Sequence, residues 1–487
     1  MTRVATGVGP AAGNGLPPDA LSFVYLVSGV LFVIGLRRLT HPRTAERGNL
    51  VSAVGMALAV GATVLWFEIL SPLVLAAALL LGAGVGTWLA LSVQTTDLPQ
   101  LVGLFNGFGG GASALVAGAE LIDGVSVGEL SGLSPVVTGA AAVTGLIGAV
   151  TFSGSLVAAA KLHGISEDPA RYPAENGVKV VLAALAVALG LSLLTRTTLG
   201  LFPIGEFVSP YWLLLAVASV LGVSVVAPIG GADMPVVIAL LNAFSGLAAA
   251  STGFVLDNDV LIIAGTLVGA SGLILTTIMC RSMNRSLGDV LFGAYGTSGS
   301  GGDVADVYEG TVVSTSPEEV AMLLEVARRV VIVPGYGMAV GQAQHAVAEL
   351  AQLLADDGVD VAFGIHPVAG RMPGHINVLL AEADVPYEQM RELSEINPTF
   401  TQTDLVLVIG ANDVVNPTAY SADPSPIAGM PVLDVWEAET VVVNKRSLSP
   451  GYAGIPNPLF EMDNALMLFG DAREAMQAVV NEYQRNR

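Results

Sequence analysis

The chain is poor in the side chains that hold metals and nucleic acids, with one cysteine, three lysines and five histidines among 487 residues. The single cysteine, Cys280, excludes a disulfide framework, an iron–sulfur cluster and a cysteine-based zinc site within the chain. Redox chemistry here would need a bound organic cofactor, and no metal site is expected. The only lysines are Lys161, Lys179 and Lys445, and the net charge of -21 speaks against nucleic acid as a partner. The acidic excess lies mainly in the last 180 residues. It fits either a protein working in concentrated salt or an ordinary solvated acidic surface. No histidine falls in a hydrophobic segment: His41 and His163 are in loops, and His345, His366 and His375 lie in the carboxyl-terminal part. The apolar part therefore has no carrier of its own that titrates near neutrality.

What the chain has in abundance is apolar surface, at 53% hydrophobic residues and a mean hydropathy of +0.68. Segments long enough to cross a hydrocarbon core of ~30 Å are predicted near 20–36, 49–67, 73–93, 101–119, 134–160, 178–195, 211–227, 235–255 and 260–280. The first is followed by Arg37 and Arg38 without a small-residue cleavage site, so it reads as a retained helix. This nine-span reading makes the chain a polytopic membrane protein. Arg37, Arg38, Arg43, Arg47, Lys161, Arg171, Lys179, Arg281 and Arg285 follow odd-numbered spans, whereas the alternate loops carry Glu68, Glu120, Asp123, Glu129, Glu206, Asp257 and Asp259 with only Arg196. Basic residues accumulate on the cytoplasmic side. The amino terminus is thus expected outside the cell membrane and the carboxyl-terminal domain in the cytoplasm.

Within the spans, Gly103, Gly107 and Gly111 recur every four residues, which allows two helices to approach closely. Asn106 lies beside that face, and Ser155, Asn242 and Ser245 are further polar groups in apolar surroundings. Such groups either line a proton path or bond helix to helix. The expected organisation is an amino-terminal segment over 1–19, a transmembrane domain over 20–280, a hinge and Gly/Ser-rich linker over 281–310, and a soluble domain over 311–487.

The soluble part alternates strand-like runs at 330–334, 359–364, 404–409, 431–436 and 440–444 with helical stretches at 317–328, 338–356 and 463–485. Uninterrupted apolar strands suit a parallel sheet covered on both faces, a doubly wound α/β domain of Rossmann type. Gly335, Gly337 and Val340 occupy the places of a phosphate-binding turn between strand and helix, though a plain tight turn has the same residues. The second strand ends at Ile365-His366 without the carboxylate that an NAD site needs, while Lys445 and Arg446 follow a strand end. That favours NADP over NAD, with a solvated basic pair as the alternative.

Seven blocks then carry a resemblance to the beta subunit of proton-translocating NAD(P) transhydrogenase: Ile229 to Val237, Met283 to Ser286, Pro334 to Val340, Phe363 to His375, Val408 to Asp413, Ser425 to Leu433, and Lys445 to Ser447 with Gly451 to Gly454. The resemblance implies that this chain holds NADP(H), that an alpha subunit with further membrane helices holds NAD(H), and that hydride transfer between them is coupled to proton movement in a dimer of alpha/beta units. It implies that Gly335, Tyr336, Gly337, Met338, Ala339 and Val340 cradle the dinucleotide and that Lys445, Arg446 and Ser447 hold the 2′-phosphate. Gly370, Arg371, Gly410, Ala411, Asn412 and Gly451 would border the nucleotide, and Tyr452 would belong to a lid. Asp413, Arg371 and His366 are the candidate catalytic residues, with Asp413 near the nicotinamide. Asn106, Ser155, Asp233, Asn242 and Arg285 are the candidates for proton path and coupling. Some family members carry a histidine where this chain has Asn106, so the relay histidine is expected in the partner subunit. A channel or transporter with a nucleotide-sensing domain is the alternative reading.

Overall fold

A computed structural model describes residues 18–39, 42–66, 72–93, 97–126, 134–165, 174–195, 208–230, 233–292, 308, 312–372, 374–421 and 425–487. Among the described residues nine helices form the first part: α1 (Pro18–Leu39), α2 (Pro42–Trp66), α3 (Pro72–Ser92), α4 (Leu98–Ser126), α5 (Pro135–Leu162), α6 (Glu175–Thr195), α7 (Val208–Val226), α8 (Met234–Val255) and α9 (Asp259–Ser282). Proline is the first residue of α1, α2, α3 and α5, where its fixed φ suits a helix and its missing N–H is not needed. Ser134 and Asn258 cap α5 and α9 by accepting from Val137 N and Leu261 N.

Eight of these helices are long and apolar enough to span a membrane, and the apolar part of α7, Pro210–Val226, is shorter. Their outer faces are oily: Leu80, Leu81 and Leu91 of α3 are 74%, 71% and 84% exposed. Contiguous apolar surface of this kind needs lipid or a partner to cover it, and the protein is a multi-pass membrane protein. Of the charged loop residues used for orientation, Glu68, Glu129, Arg171, Arg196 and Glu206 lie outside the described residues.

Small residues set the helix spacing. A side chain at Gly246 on α8 would meet Gly269 N of α9 at 2.3 Å, and one at Gly265 would meet Ala250 N at 2.3 Å. Gly246→Val should therefore force the pair apart and cost about 3 kcal/mol, the upper part of the overpacking range. The thermal transition of the detergent-solubilised protein should drop by several degrees. Gly61→Ala, which would meet nothing within 4 Å, serves as the neutral control.

The residues 281–292 at the start of the expected linker are ordered. They finish α9, turn at Met283 to Ser286 and form α10 (Leu287–Phe292). The Gly/Ser-rich residues 295–302 lie outside the described residues.

The soluble domain follows as α11 (Pro317–Val326), β1 (Arg329–Pro334), α12 (Tyr336–Val340), α13 (Gln344–Asp356), β2 (Asp360–Ile365), α14 (His375–Glu382), β3 (Met390–Glu392), α15 (Leu393–Ile396), β4 (Leu405–Ile409), β5 (Thr440–Lys445), β6 (Ala465–Phe469) and α16 (Ala472–Asn486). All six strands pair in parallel in the order β3-β2-β1-β4-β5-β6. This is the doubly wound Rossmann arrangement. Two apolar cores, one on each face, bury alternate residues of the same strands: Val330 and Ile332 point to one, Val331 and Val333 to the other.

Three expectations need correction. Residues 431–436 are not a strand. Pro431 O and Val432 O accept from His366 Nε2 and Asn397 Nδ2, and a 3-10 turn starts at Val435. The stretch 463–485 is not one helix, because its apolar start pairs with β5 as β6. Gly470, at φ 152°, and the cap Asp471 then open α16. The stretch 338–356 is broken between α12 and α13, where Gln342 has a φ of 50°.

Candidate functional site

A cleft of about 440 Å³ opens at the carboxyl ends of the strands, where the chain leaves β1 to one side and β4 to the other. In an open parallel sheet that reversal is the place where a ligand fits. The cleft is built on glycine. Gly335 N donates to Ile409 O and Gly337 N to Gly410 O, both at 2.8 Å. A side chain at Gly335 would lie 2.3 Å from Gly410 O and 2.4 Å from Ala411 Cα. The turn after β1 and the turn after β4 thus touch through their backbones, and no larger residue fits between them.

Gly335, Tyr336, Gly337, Val340, Gly370, Gly410, Ala411, Asn412, Asp413, Lys445, Arg446, Ser447, Gly451 and Tyr452 all line the cleft. Met338 and Ala339 are buried beneath it. Arg371 and His366 are not in its lining. His366 is buried, its Nε2 donates to Pro431 O at 2.7 Å and its Nδ1 accepts from Val368 N at 3.2 Å. Burial pushes its pKa down to about 4, which leaves a neutral ring occupied at both nitrogens.

The charged wall is tightly arranged. Lys445 Nζ donates to Ser449 O at 2.8 Å and lies 4.8 Å from the Phe460 ring centroid. Burial pushes its pKa down to about 8, against the pull of Asp413. With the Asn412 amide turned to match its neighbours, its oxygen accepts from Lys445 Nζ at 2.8 Å and Gly451 N at 2.7 Å. Asp413 Oδ2 accepts from Ala453 N at 3.0 Å, while its Oδ1 is buried with no hydrogen-bond partner among the described residues. Burial raises the Asp413 pKa, opposed by the Ala453 N–H and by Lys445. A side chain at Gly451 would fall 2.4 Å from Asp413 Oδ1, so only glycine lets the 451–454 turn close on that carboxylate. Tyr452, 45% exposed, sits at the rim with its ring 6.3 Å from that of Tyr336.

Sequence reasoning missed Asn444, Ser449, Gly470, Asp471 and Ala472, which also line the cleft. Gly470 to Ala472 were hidden because β6 was read as helix. Asn444 is buried in β5, its Nδ2 donates to Leu468 O at 3.0 Å, and its Oδ1 has no hydrogen-bond partner among the described residues. No cluster able to hold a metal ion occurs among the described residues.

The polar residues of the spans meet where α4, α5 and α8 pack together. Asn106 Nδ2 reaches Ile238 O at 3.5 Å, one turn before Asn242. Ser155, buried with its Oγ unpartnered among the described residues, lies opposite Gly107 on α4, and Ser245 lies opposite Gly109. Asn242 is half-buried on the same helix as Ser245. At the edge of α8, Asp233 and Arg285 pair through Nη1, 2.9 Å and 3.1 Å from the two carboxylate oxygens. Burial pushes the Asp233 pKa up to about 6 even against Arg285.

Fold and cleft together define a multi-span membrane protein that carries a Rossmann-type nucleotide-binding domain at its carboxyl end. A family model described as NAD(P) transhydrogenase beta subunit matches residues 21–482. Two relatives from Rhodospirillum rubrum, each named NAD(P) transhydrogenase subunit beta, are 46% identical to the chain over 464 residues, which cover 94% of this chain and 97% of theirs. The chain belongs to the NAD(P) transhydrogenase beta subunit family. It is thus part of an oxidoreductase that uses nicotinamide nucleotides, and a beta subunit implies an alpha subunit. Membership sets aside the channel reading.

Proposed function

We propose that this chain binds NADP(H) in the cleft and works with an alpha subunit that binds NAD(H), so that hydride transfer between the two is coupled to proton translocation. The observation that carries the nucleotide assignment is the place of Lys445, the only lysine of the soluble half, in the cleft wall beside Arg446 and Ser447 at the end of β5. The cleft fits a dinucleotide in other ways: its glycine cradle leaves no room for a Cβ, and the buried oxygens Asp413 Oδ1 and Asn444 Oδ1 lack partners among the described residues. Bound nicotinamides would supply the hydride chemistry, with no side-chain nucleophile required. The chain's part is to hold and orient. Gly335 to Val340, with Gly370, Gly410 and Ala411, would accept the phosphates and ribose. Lys445, Arg446 and Ser447 would hold the 2′-phosphate, and Tyr452 would cover the site. Asp413, whose charge is disfavoured by burial, would respond to the nicotinamide.

In the membrane, Asn106, Ser155 and Asn242 would orient water or a histidine of the partner. The Asp233–Arg285 pair would break on protonation and move the 281–285 hinge between residues 20–280 and the soluble domain 311–487. The cell membrane, an external amino terminus, a cytoplasmic soluble domain and a dimer of alpha/beta units complete the proposal. The test is co-reconstitution with the alpha subunit in sealed vesicles. NADPH formation from NADH should rise with an imposed proton gradient and lose that stimulation with an uncoupler. A rate indifferent to the gradient counts against coupling.

The lowered pKa of Lys445 gives a pH signature. Binding a phosphate favours the protonated amine, so affinity is full below pH 8 and declines above it, by up to about tenfold per pH unit for one linked proton. Titrations of NADPH from pH 7 to pH 10 should show that decline, and Lys445→Arg should remove it.

A further inference from the structure

The guanidinium of Arg371 reaches out of the soluble domain. Its Nη1 donates to the carbonyl of Leu162, the last residue of α5, at 2.7 Å. The same guanidinium lies 4.7 Å from the ring centroid of Tyr336, which lines the cleft. One side chain therefore touches both a membrane helix and the pocket wall.

Its backbone is held as firmly. Arg371 N donates to His375 Nδ1 at 3.0 Å, and the His375 ring is buried. Gly370, at φ 105°, is pressed so close to that ring that a side chain there would lie 2.6 Å from His375 Cβ. The neighbouring Val368 packs against the apolar cluster to which α5, α7, α8, α9 and α10 contribute. A second point of contact lies in the turn after α9, where Asn284 Nδ2 donates to Ala428 O at 3.0 Å. On the membrane side, Gln100 Nε2 also donates to Leu162 O, at 3.2 Å, so the start of α4 and the end of α5 share the acceptor that Arg371 uses.

We propose that Arg371 is a positioning residue that seats the nucleotide domain on the end of α5 and, through its stacking on Tyr336, couples that seat to the shape of the pocket. Arginine suits both tasks because its flat guanidinium can stack on a ring while donating at its edge. Lysine could still donate to Leu162 O but would not stack in the same way. The choice of NADPH as probe rests on the proposed function, whereas the seat itself does not.

The test uses the full chain in nanodiscs. A Cβ at Gly429 would lie 4.0 Å from Asn284 Cβ, within the usual disulfide range of about 3.5–4.5 Å. Asn284→Cys with Gly429→Cys should therefore cross-link on mild oxidation and report the seated domain. Adding Arg371→Gln should lower the yield at least about threefold and weaken NADPH binding about tenfold, between the values of an exposed and a desolvated cation–π contact. Arg371→Lys should keep most of the cross-link while weakening NADPH. Both engineered positions have left-handed backbone, so deuterium exchange over 366–372, compared between the parent and Arg371→Gln without the engineered cysteines, gives a second readout, expected to rise with Arg371→Gln. Unchanged exchange and cross-linking in Arg371→Gln would overturn the proposal. If the cross-link responds as expected but the parent does not bind NADPH, the seat stands and the NADP(H) reading fails.

Discussion

Reversal of both basic residues at the end of β5, Lys445→Glu with Arg446→Glu, is expected to weaken NADPH binding by about a thousandfold. Hydrogen bonds to charged groups contribute about 1.5–3 kcal/mol each, and 1.4 kcal/mol is about a factor of ten, so losing two removes two to four decades. The structure adds a second cost. Lys445 is the cation that opposes the burial of Asp413, and a glutamate in its place would set two carboxylates in one half-closed cleft. Arg446 is exposed, so Arg446→Glu alone should have the smaller effect. Calorimetric titration of the folded variant decides it: an affinity within threefold of the parent would mean that these residues do not hold the 2′-phosphate.

Arg285→Gln is expected to lower gradient-driven NADPH formation at least about a hundredfold, because breaking one side of a buried pair costs about 3–5 kcal/mol. The side chain of Asp233 is 3% exposed and that of Arg285 14%. Burial raises the Asp233 pKa to about 6, and Arg285 is what keeps it from rising further. Without the guanidinium the carboxyl holds its proton through the neutral range and no longer titrates where the enzyme works. The acid limb of the pH profile, expected near pH 6 in the parent, should shift upward in Arg285→Gln and vanish in Asp233→Asn. A profile that both variants leave in place would remove this pair from coupling.

The helical part was legible because length and hydropathy alone mark a span; among the described residues helices lie at all nine expected places, eight of them long and apolar enough to cross a membrane and α7 shorter. The sheet was legible where strands are unbroken apolar runs, as in β1 and β4. It was not legible where burial and pairing override local pattern. Ala465 to Phe469 reads as the start of an amphipathic helix, yet β5 offers it an open edge, and Gly470 then turns the chain. Pro431 to Leu433 reads as a strand, but the Pro431 and Val432 carbonyls bond to the His366 and Asn397 side chains and Leu433 O accepts from Val435 N, so among the described residues the segment joins no strand of the sheet. The cleft residues with chemical character, Lys445 and Asp413, stood out in the sequence. Asn444 did not, because an asparagine within a valine strand gives no sign of facing a ligand. The reach of Arg371 to Leu162 was equally hidden, since the two residues are 209 positions apart.

The proposed function rests most on which nucleotide the cleft accepts. Titration of the full-length chain with NADPH and with NADH under identical conditions measures this directly. NADPH is expected to bind at least about a hundredfold more tightly, as two charged hydrogen bonds to the extra phosphate require. Equal affinity for the two nucleotides would contradict it.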